Sequence, residues 1–358
     1  MIDAIVAGHL CLDIHPDLSA HAAGQFNAVF QPGKLVHVGP AAISTGGAVL
    51  NTGLALHRLG IKTRLLAGVG ADQFGRTVQQ LVADIEPSLA DGIVTRAERS
   101  TSYSIVISPP GTDRCFLHHP GANDDFVADD VRDEDLRDAR LFHFGYPPLM
   151  ARMFADNGTQ LTELFRHVKS FGLTTSLDMA LPDSDSAAGR ADWRTILQNT
   201  LPYVDIFMPS LDEILFMLGR NTEVPISAEL LTEVSDELLE MGSKMVVLKL
   251  GGRGLYLHVA TLDGLQNLGR ACPSELTAWA NYEKWSPCFK VDMVGTTGSG
   301  DATIAGFLAA LLRDLPPDKA LAAALAVGAC SVEAADALSG IRLWDETWKR
   351  IDAGWVYS

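Results

Sequence analysis

From about residue 140 onward the chain alternates between short apolar, β-branched runs and amphipathic stretches at helical spacing. Leu141–Phe144, Leu173–Asp178, Val204–Met208 and Met245–Leu250 read as strands. Helices are expected between them at about 149–168, 212–218 and 228–241. Runs that are apolar throughout, rather than every second residue, belong to strands buried on both faces. Such strands occur in parallel sheets covered by helices on each side. Ala4–Ala7 ending at Gly8, and Thr63–Ala67, read the same way, so the expected fold is α/β with a doubly wound sheet. No fixed-period repeat or low-complexity tract interrupts it. The 358 residues are 47% apolar, enough for a sizeable core.

Within that frame one stretch carries chemistry. Gly295-Thr-Thr-Gly298-Ser-Gly300-Asp301 joins an expected strand, Cys288–Val294, to an amphipathic helix over Asp301–Leu312. A glycine-rich turn opening on a helix start presents unpaired N–H groups and the positive end of the helix dipole. An anion can approach such a backbone closely. A carboxylate there, Asp301, repels an anion unless its task is to take a proton from the group attacking that anion. Gly46-Gly47 opens a second helix, running to Leu59 and stopping at Gly60, with polar Asn51 in its otherwise small or apolar first turn. Asp13 lies just past the first strand, at the end of a parallel sheet where ligands sit.

Residues 14–45 are poor in helix pattern and too long for a plain loop. With Leu35–Val38 as a short strand, they read as one part of a separate small sheet. The hairpin Tyr103–Ser108, Pro109–Asp113, Cys115–His119 reads as the other part. Two excursions sharing one sheet make a natural lid. His118 and His119 read as solvated strand residues. The segment 260–287 reads as an insertion, and Pro316–Asp318 starts an alanine-rich helix to about Ala337. Small residues there, Ala326 and Gly328–Cys330, would let a flat ring lie against the helix.

The net charge of −16, from 44 acids against 28 bases, argues against nucleic acid or anionic membranes as partners. Five scattered cysteines without a C-x-x-C suit a reduced cytoplasmic protein and offer no zinc site. The first residues lack a basic secretion signal, and no apolar run is long enough for a membrane span. Neither a Walker A motif nor G-x-G-x-x-G after a strand is present, which sets aside P-loop kinases and dinucleotide oxidoreductases.

Together these stretches resemble the PfkB (ribokinase-like) carbohydrate kinase family over nearly the whole chain. Gly46-Gly47…Asn51…Leu59-Gly60 is similar to its first signature and Thr296–Asp301 to its second. Gly68–Gly75, Gly121-Ala-Asn123 and Leu250-Gly251-x-x-Gly254 are supporting matches. The resemblance implies one domain, a three-layer αβα sandwich with a mostly parallel central sheet and a small β-sheet lid formed by about 14–45 and 100–120. It also implies ATP-dependent phosphorylation of a sugar or sugar-like alcohol, with Mg²⁺. Carried over residue by residue, Asp301 would be the base and Gly298, Ser299 and Gly300 the anion hole. Asp13, Gly46, Gly47, Asn51 and Asp301 would hold the acceptor. Lys249, Gly251, Gly254, Thr296, Gly298, Gly300 and Ala329 would border the nucleotide. Glu213 would act on Mg²⁺ through water. The helix terminus is expected to keep Asp301 ionised and weakly basic.

Five positions depart from the family pattern. Gly295 stands where the family has an Asp that helps bind a monovalent cation, so potassium activation is not implied here. Ser210 replaces an Asn near the phosphates or Mg²⁺. Lys249 replaces a common Thr. Cys11 and Ala48 replace an Asn and a Lys beside the sugar of ribokinase-like members, which disfavours ribose itself. A nucleoside kinase on the same fold and a catalytically silent ligand-binding homologue remain open alternatives. An exposed lid edge is a place where a second subunit could pair to make a homodimer.

Overall fold

The computed structural model describes residues 2–21, 31–110 and 114–358. Among these, thirteen strands form two sheets. The larger runs β13-β12-β11-β10-β9-β8-β1-β4-β5. Its central strands are β1 (Ile2–Gly8), β4 (Thr63–Gly70), β8 (Ala139–Gly145), β9 (Thr174–Leu177), β10 (Ile206–Phe207) and β11 (Met245–Lys249). All pairings from β5 (Ile93–Arg96) to β11 are parallel. Only β12 (Leu255–Val259) and β13 (Glu283–Ser286) turn antiparallel at one edge.

β1 shows why the apolar runs are continuous. Ala4 and Val6 enter the core on one face of the sheet, whereas Ile5 and Ala7 enter the core on the other. The first core is covered by helices 48–58, 73–85, 299–312 and 317–331, the second by 159–170, 193–200, 211–217 and 228–240. Each strand residue therefore leaves water whichever way it points, and the pattern has no polar phase.

The smaller sheet has the order β3-β2-β6-β7, from β2 (Cys11–Asp17), β3 (Gly39–Gly46), β6 (Tyr103–Ile107) and β7 (Cys115–His119). β2 runs on almost directly from β1, and β3 leads straight into the helix Ala48–Arg58, so this sheet hangs on the C-terminal ends of the parallel strands. The expected hairpin of β6 and β7 is antiparallel, as read. Residues 22–30 of the other excursion and 111–113 of the hairpin turn lie outside the described residues.

Several local expectations fail for tertiary reasons. Leu35–Val38 is not a strand; β3 starts at Gly39 and pairs with β2. Cys288–Val294 does not join the sheet. Phe289 makes only an isolated bridge to Tyr357, and the Lys290 N–H donates to the Val356 carbonyl. The edge is already occupied by β13, which lies inside the segment read as an insertion, as does Trp279, fully buried against Phe307. The helix expected at 149–168 is broken by left-handed Asp156 and Asn157 and is regular only over Thr159–Ser170. The alanine-rich helix ends at Ser331. Helix Ser299–Leu312 is buried from Ile304 to Leu312 on every side rather than amphipathic, because helices 48–58 and 317–331 flank it.

Candidate active site

The loop ahead of helix Ser299–Leu312 separates two cavities. Thr297, Gly298 and Asp301 line one, of about 610 Å³. Thr296, Ser299 and Gly300 line the other, of about 410 Å³. Gly298 caps the helix with φ 69°, a left-handed conformation that turns the loop onto the helix axis and costs a side-chain-bearing residue strain. The first-turn N–H groups, without intrahelical acceptors, lie at this junction.

The larger cavity lies between the smaller sheet and the ends of the parallel strands. From the link after β1 comes His9, from the smaller sheet Asp13, Ser104, Phe116 and His118, from the helix start Gly47 and Asn51, and from just past β8 Tyr146. Asp301 is buried, and three donors hold its carboxylate. Asn51 Nδ2 and the Tyr146 hydroxyl lie 3.0 and 2.8 Å from Oδ2, and the Thr52 hydroxyl 3.1 Å from Oδ1. Burial pushes the Asp301 pKa above the ordinary carboxylate value; the Tyr146 and Asn51 bonds and the Lys249 charge oppose it only in part. The expectation of weak basicity is thus overturned, since desolvation outweighs the donors around the carboxylate. Asn51, legible in sequence as a polar residue in an apolar turn, orients the acid. Tyr146 and Thr52 carry no motif signal. Tyr146 sits at φ 65°, a strained position at a strand end, which only the fold reveals.

Asp13 is also buried and its pKa raised by burial; the Cys11 thiol donates to it at 3.1 Å. That contact gives Cys11 a polar partner in this cavity. Gly46 lies opposite Cys11 in the β2–β3 pairing, and its α-carbon borders the Asp13 carboxylate. Gly47 takes φ 81°, and a Cβ there would meet His9 Nδ1 and the His9 carbonyl at 2.7 Å. His118 is an exposed strand residue, as read, whose ring also makes contacts inward: its Nε2 lies 3.3 Å from His9 Nε2 and its Nδ1 3.0 Å from the Ser104 hydroxyl. Burial lowers the pKa of both imidazoles, that of His9 most. His119 points elsewhere, to the Ser100 hydroxyl.

The second cavity is built differently. Backbone and small or apolar groups dominate it: Gly251, Gly252 and Gly254 after β11, Val291 and Met293, and Leu325, Gly328 and Ala329 of the alanine-rich helix. Lys249 ends β11 at its inner wall and is ion-paired to Asp178. Burial would lower the Lys249 pKa, but the charges of Asp178, Glu213 and Asp301 raise it, so the amine stays charged. Burial raises the Asp178 pKa, and the pull of Lys249 opposes it. The Glu213 carboxylate accepts from the Ser210 N–H at 2.6 Å, and the Ser210 hydroxyl accepts from the Glu213 N–H at 3.3 Å. These two residues cap helix Leu211–Met217. At position 295 a side chain would run into the Ala334 carbonyl 2.9 Å from a Cβ.

Of the residues given a role in the sequence, all but Gly46 and Glu213 line one of the two cavities; Gly46 borders the Asp13 carboxylate, and Glu213 stands close enough to act on Lys249 and Asp178 through its charge. The pfkB family carbohydrate kinase model matches residues 5–342. The chain belongs to that family. As a carbohydrate kinase it is a phosphotransferase with an alcohol group as acceptor. An "Uncharacterized sugar kinase" of Archaeoglobus fulgidus is 28% identical over 73% of this chain and 87% of its own length. Fructokinase-1 of Zea mays is 26% identical over 75% and 74%. Among solved structures, Arabidopsis thaliana ribokinase complexed with ribose and ATP superposes with a TM-score of 0.75 at 18% identity, covering 98% of each chain. That likeness establishes the shared ribokinase-like fold, and the smaller sheet takes the place expected for its lid. No helix among the described residues is long and apolar enough to cross a membrane.

Proposed function

We propose that this kinase transfers the γ-phosphoryl group of ATP to a hydroxyl of a sugar or sugar-like acceptor, with Asp301 as general base. The observation that carries the reading is the position of that acid. It is buried at the first turn of a helix whose N-terminal loop lines two cavities at once. The acceptor occupies the larger, side-chain-lined cavity, with Asp13, Asn51 and the backbone at Gly46 and Gly47 on its hydroxyls. The nucleotide lies in the smaller one, bordered by Lys249, Gly251, Gly254, Thr296 and Ala329. The acceptor hydroxyl attacks phosphorus in line, gives its proton late to Asp301, and the bond to the ADP oxygen breaks with its electron pair. A loose transition state places little demand on base strength, yet the raised pKa of Asp301 helps it take that proton. N–H groups of Gly298, Ser299 and Gly300 meet the charge of the transferred group; donors of this kind are typically worth about 3 kcal/mol each.

The donor set fits a water-held Mg²⁺ better than a directly ligated one: no cluster of three potential ligands occurs among the described residues, and Asp178, Glu213 and Asp301 are the carboxylates whose charges act on Lys249. When bound, the ion would neutralise phosphate charge. Ribose-like, ketose, sugar-acid and nucleoside acceptors, assayed side by side for ADP release, test the function. ADP formation that rises with at least one sugar is expected. No rise with any acceptor would remove the kinase reading in favour of a silent binder, and a rise with nucleosides alone would reassign the acceptor.

A further inference from the structure

Cys288–Val291 and Met293 line the nucleotide cavity, yet this stretch belongs to neither sheet. Its backbone is held instead by residues 354–358. The Lys290 N–H donates to the Val356 carbonyl at 2.9 Å and the Ser358 N–H to the Cys288 carbonyl at 2.8 Å. The Trp355 indole N–H donates to the Lys290 carbonyl at 2.9 Å. Ser358 itself lines the cavity. Phe289 is buried, and its ring stacks on both Trp355 and Tyr357, with centroids 4.6 and 4.4 Å apart. The Arg350 guanidinium lies 3.6 Å from the centroid of the Trp355 ring and is forked to the Glu333 carboxylate by two bonds of 2.6 Å. Glu333 follows helix 317–331, which supplies Leu325, Gly328 and Ala329 to the same cavity. Two walls of the cavity are thus tied together through Glu333, Arg350, Trp355 and Phe289. The family match ends at residue 342, so Arg350 and 354–358 lie beyond it.

We propose that residues 354–358 build the nucleoside end of the nucleotide cavity, with Trp355 and Tyr357 as positioning residues that hold Phe289 and its neighbours in the shape that takes the base and ribose of ATP. This rests on the placement of ATP in the reading above. There the phosphates lie against Ser299, Gly300 and Lys249, which leaves the aliphatic and aromatic part of the cavity to the nucleoside. A stretch of backbone outside any sheet would otherwise have to be ordered by each nucleotide that binds, at the cost of its conformational entropy. The ring stack and the guanidinium–carboxylate fork supply that order beforehand, so the ligand meets a preformed wall. None of 354–358 lines the acceptor cavity, so the effect falls on one substrate.

The test compares the wild type with the double variant Trp355→Ala, Tyr357→Ala and with Tyr357→Phe. ATP binding is measured by calorimetry, which needs no acceptor, and turnover by steady-state kinetics with whichever acceptor the wild type phosphorylates. The expected result for the double variant is an ATP Kd and KM about tenfold higher, with kcat at saturating ATP and the acceptor KM within about threefold. Tyr357→Phe keeps the ring and should behave as the wild type. An unchanged ATP Kd in the double variant would overturn the proposal. So would kcat and both KM values worsening together, since the segment would then serve the fold at large. Should the double variant not fold, Tyr357→Ala decides, because that ring is half-exposed. A rise in its ATP Kd of about threefold or more supports the proposal, and an unchanged value removes it. A wild type that binds ATP through this wall but phosphorylates no acceptor would remove the kinase reading and leave the proposal standing. One that binds no ATP would overturn both.

Discussion

The two cavities that meet at Asp301 are made of different material. The acceptor side is lined by side chains drawn from two sheets, among them His9, Asp13, Asn51, Arg114, His118 and Tyr146. The nucleotide side is lined by glycines, alanine and aliphatic groups of one continuous core, with Lys249 as its buried cation. In the proposed reaction, backbone groups meet what every cycle shares, the phosphates, whereas side chains drawn from separate elements distinguish one acceptor from another. The difference teaches where variation is affordable: the acceptor cavity can be retuned without rebuilding the fold.

The most severe way to sharpen that contrast is Asp301→Asn, which should lower kcat at least about 100-fold while ATP affinity, measured by calorimetry, changes little. Unchanged turnover would remove Asp301 from the chemistry. Lys249→Met tests the other side. It leaves Asp178 buried without its partner, so a stability loss of about 3–5 kcal/mol in urea unfolding is expected, together with weaker ATP binding. Lys249→Met combined with Asp178→Asn should recover much of the stability but not the ATP affinity. If the double variant is no more stable than the single one, the ion pair is not what holds that wall.

Ala329→Leu intrudes only on the nucleotide cavity and should raise the ATP KM about tenfold, with the acceptor KM unaffected. An equal rise in both would mean that the cavities are not separable. Tyr146→Phe deletes one donor to Asp301 and should cost only about tenfold in kcat/KM. The removed bond lowers the Asp301 pKa, so its loss moves the acidic limb of the pH–rate profile to higher pH. The smallest effect is on stability. Because the folded pKa of Asp301 is raised, its contribution is fully present below the unfolded value and is lost as pH rises through the folded one. The melting temperature of Asp301→Asn should therefore gain on the wild type between pH 5 and pH 8 and not below pH 4, readable by differential scanning calorimetry.

Much of this was legible in the linear chain where the physics is local. A glycine pair before a helix, an acid after Gly298-Ser-Gly300 and continuous apolar strands all declare themselves through backbone freedom and burial period. Asp301, Asn51, Gly47 and Asp13 could be named for that reason. His118 is solvated as read, but its contact with His9 was not legible, because strand alternation says which residues share a face and not what that face meets. Thr52, Tyr146, Asp178 and Arg114 were silent for the same reason: each acts through a partner at least 71 residues away.

By itself, then, the order of residues determined the parallel sheet, a helix with a glycine-rich entry and the acid at its first turn, since periodicity, capping and chain flexibility operate within a few residues. Tertiary structure alone decided that burial lifts the Asp301 pKa, that 283–286 rather than 288–294 closes the sheet, and that an arginine beside the smaller sheet rests on two threonines of the loop ahead of the buried helix. Desolvation, edge pairing and charge placement depend on which distant segments exclude water from one another, and that is settled only when the chain is packed.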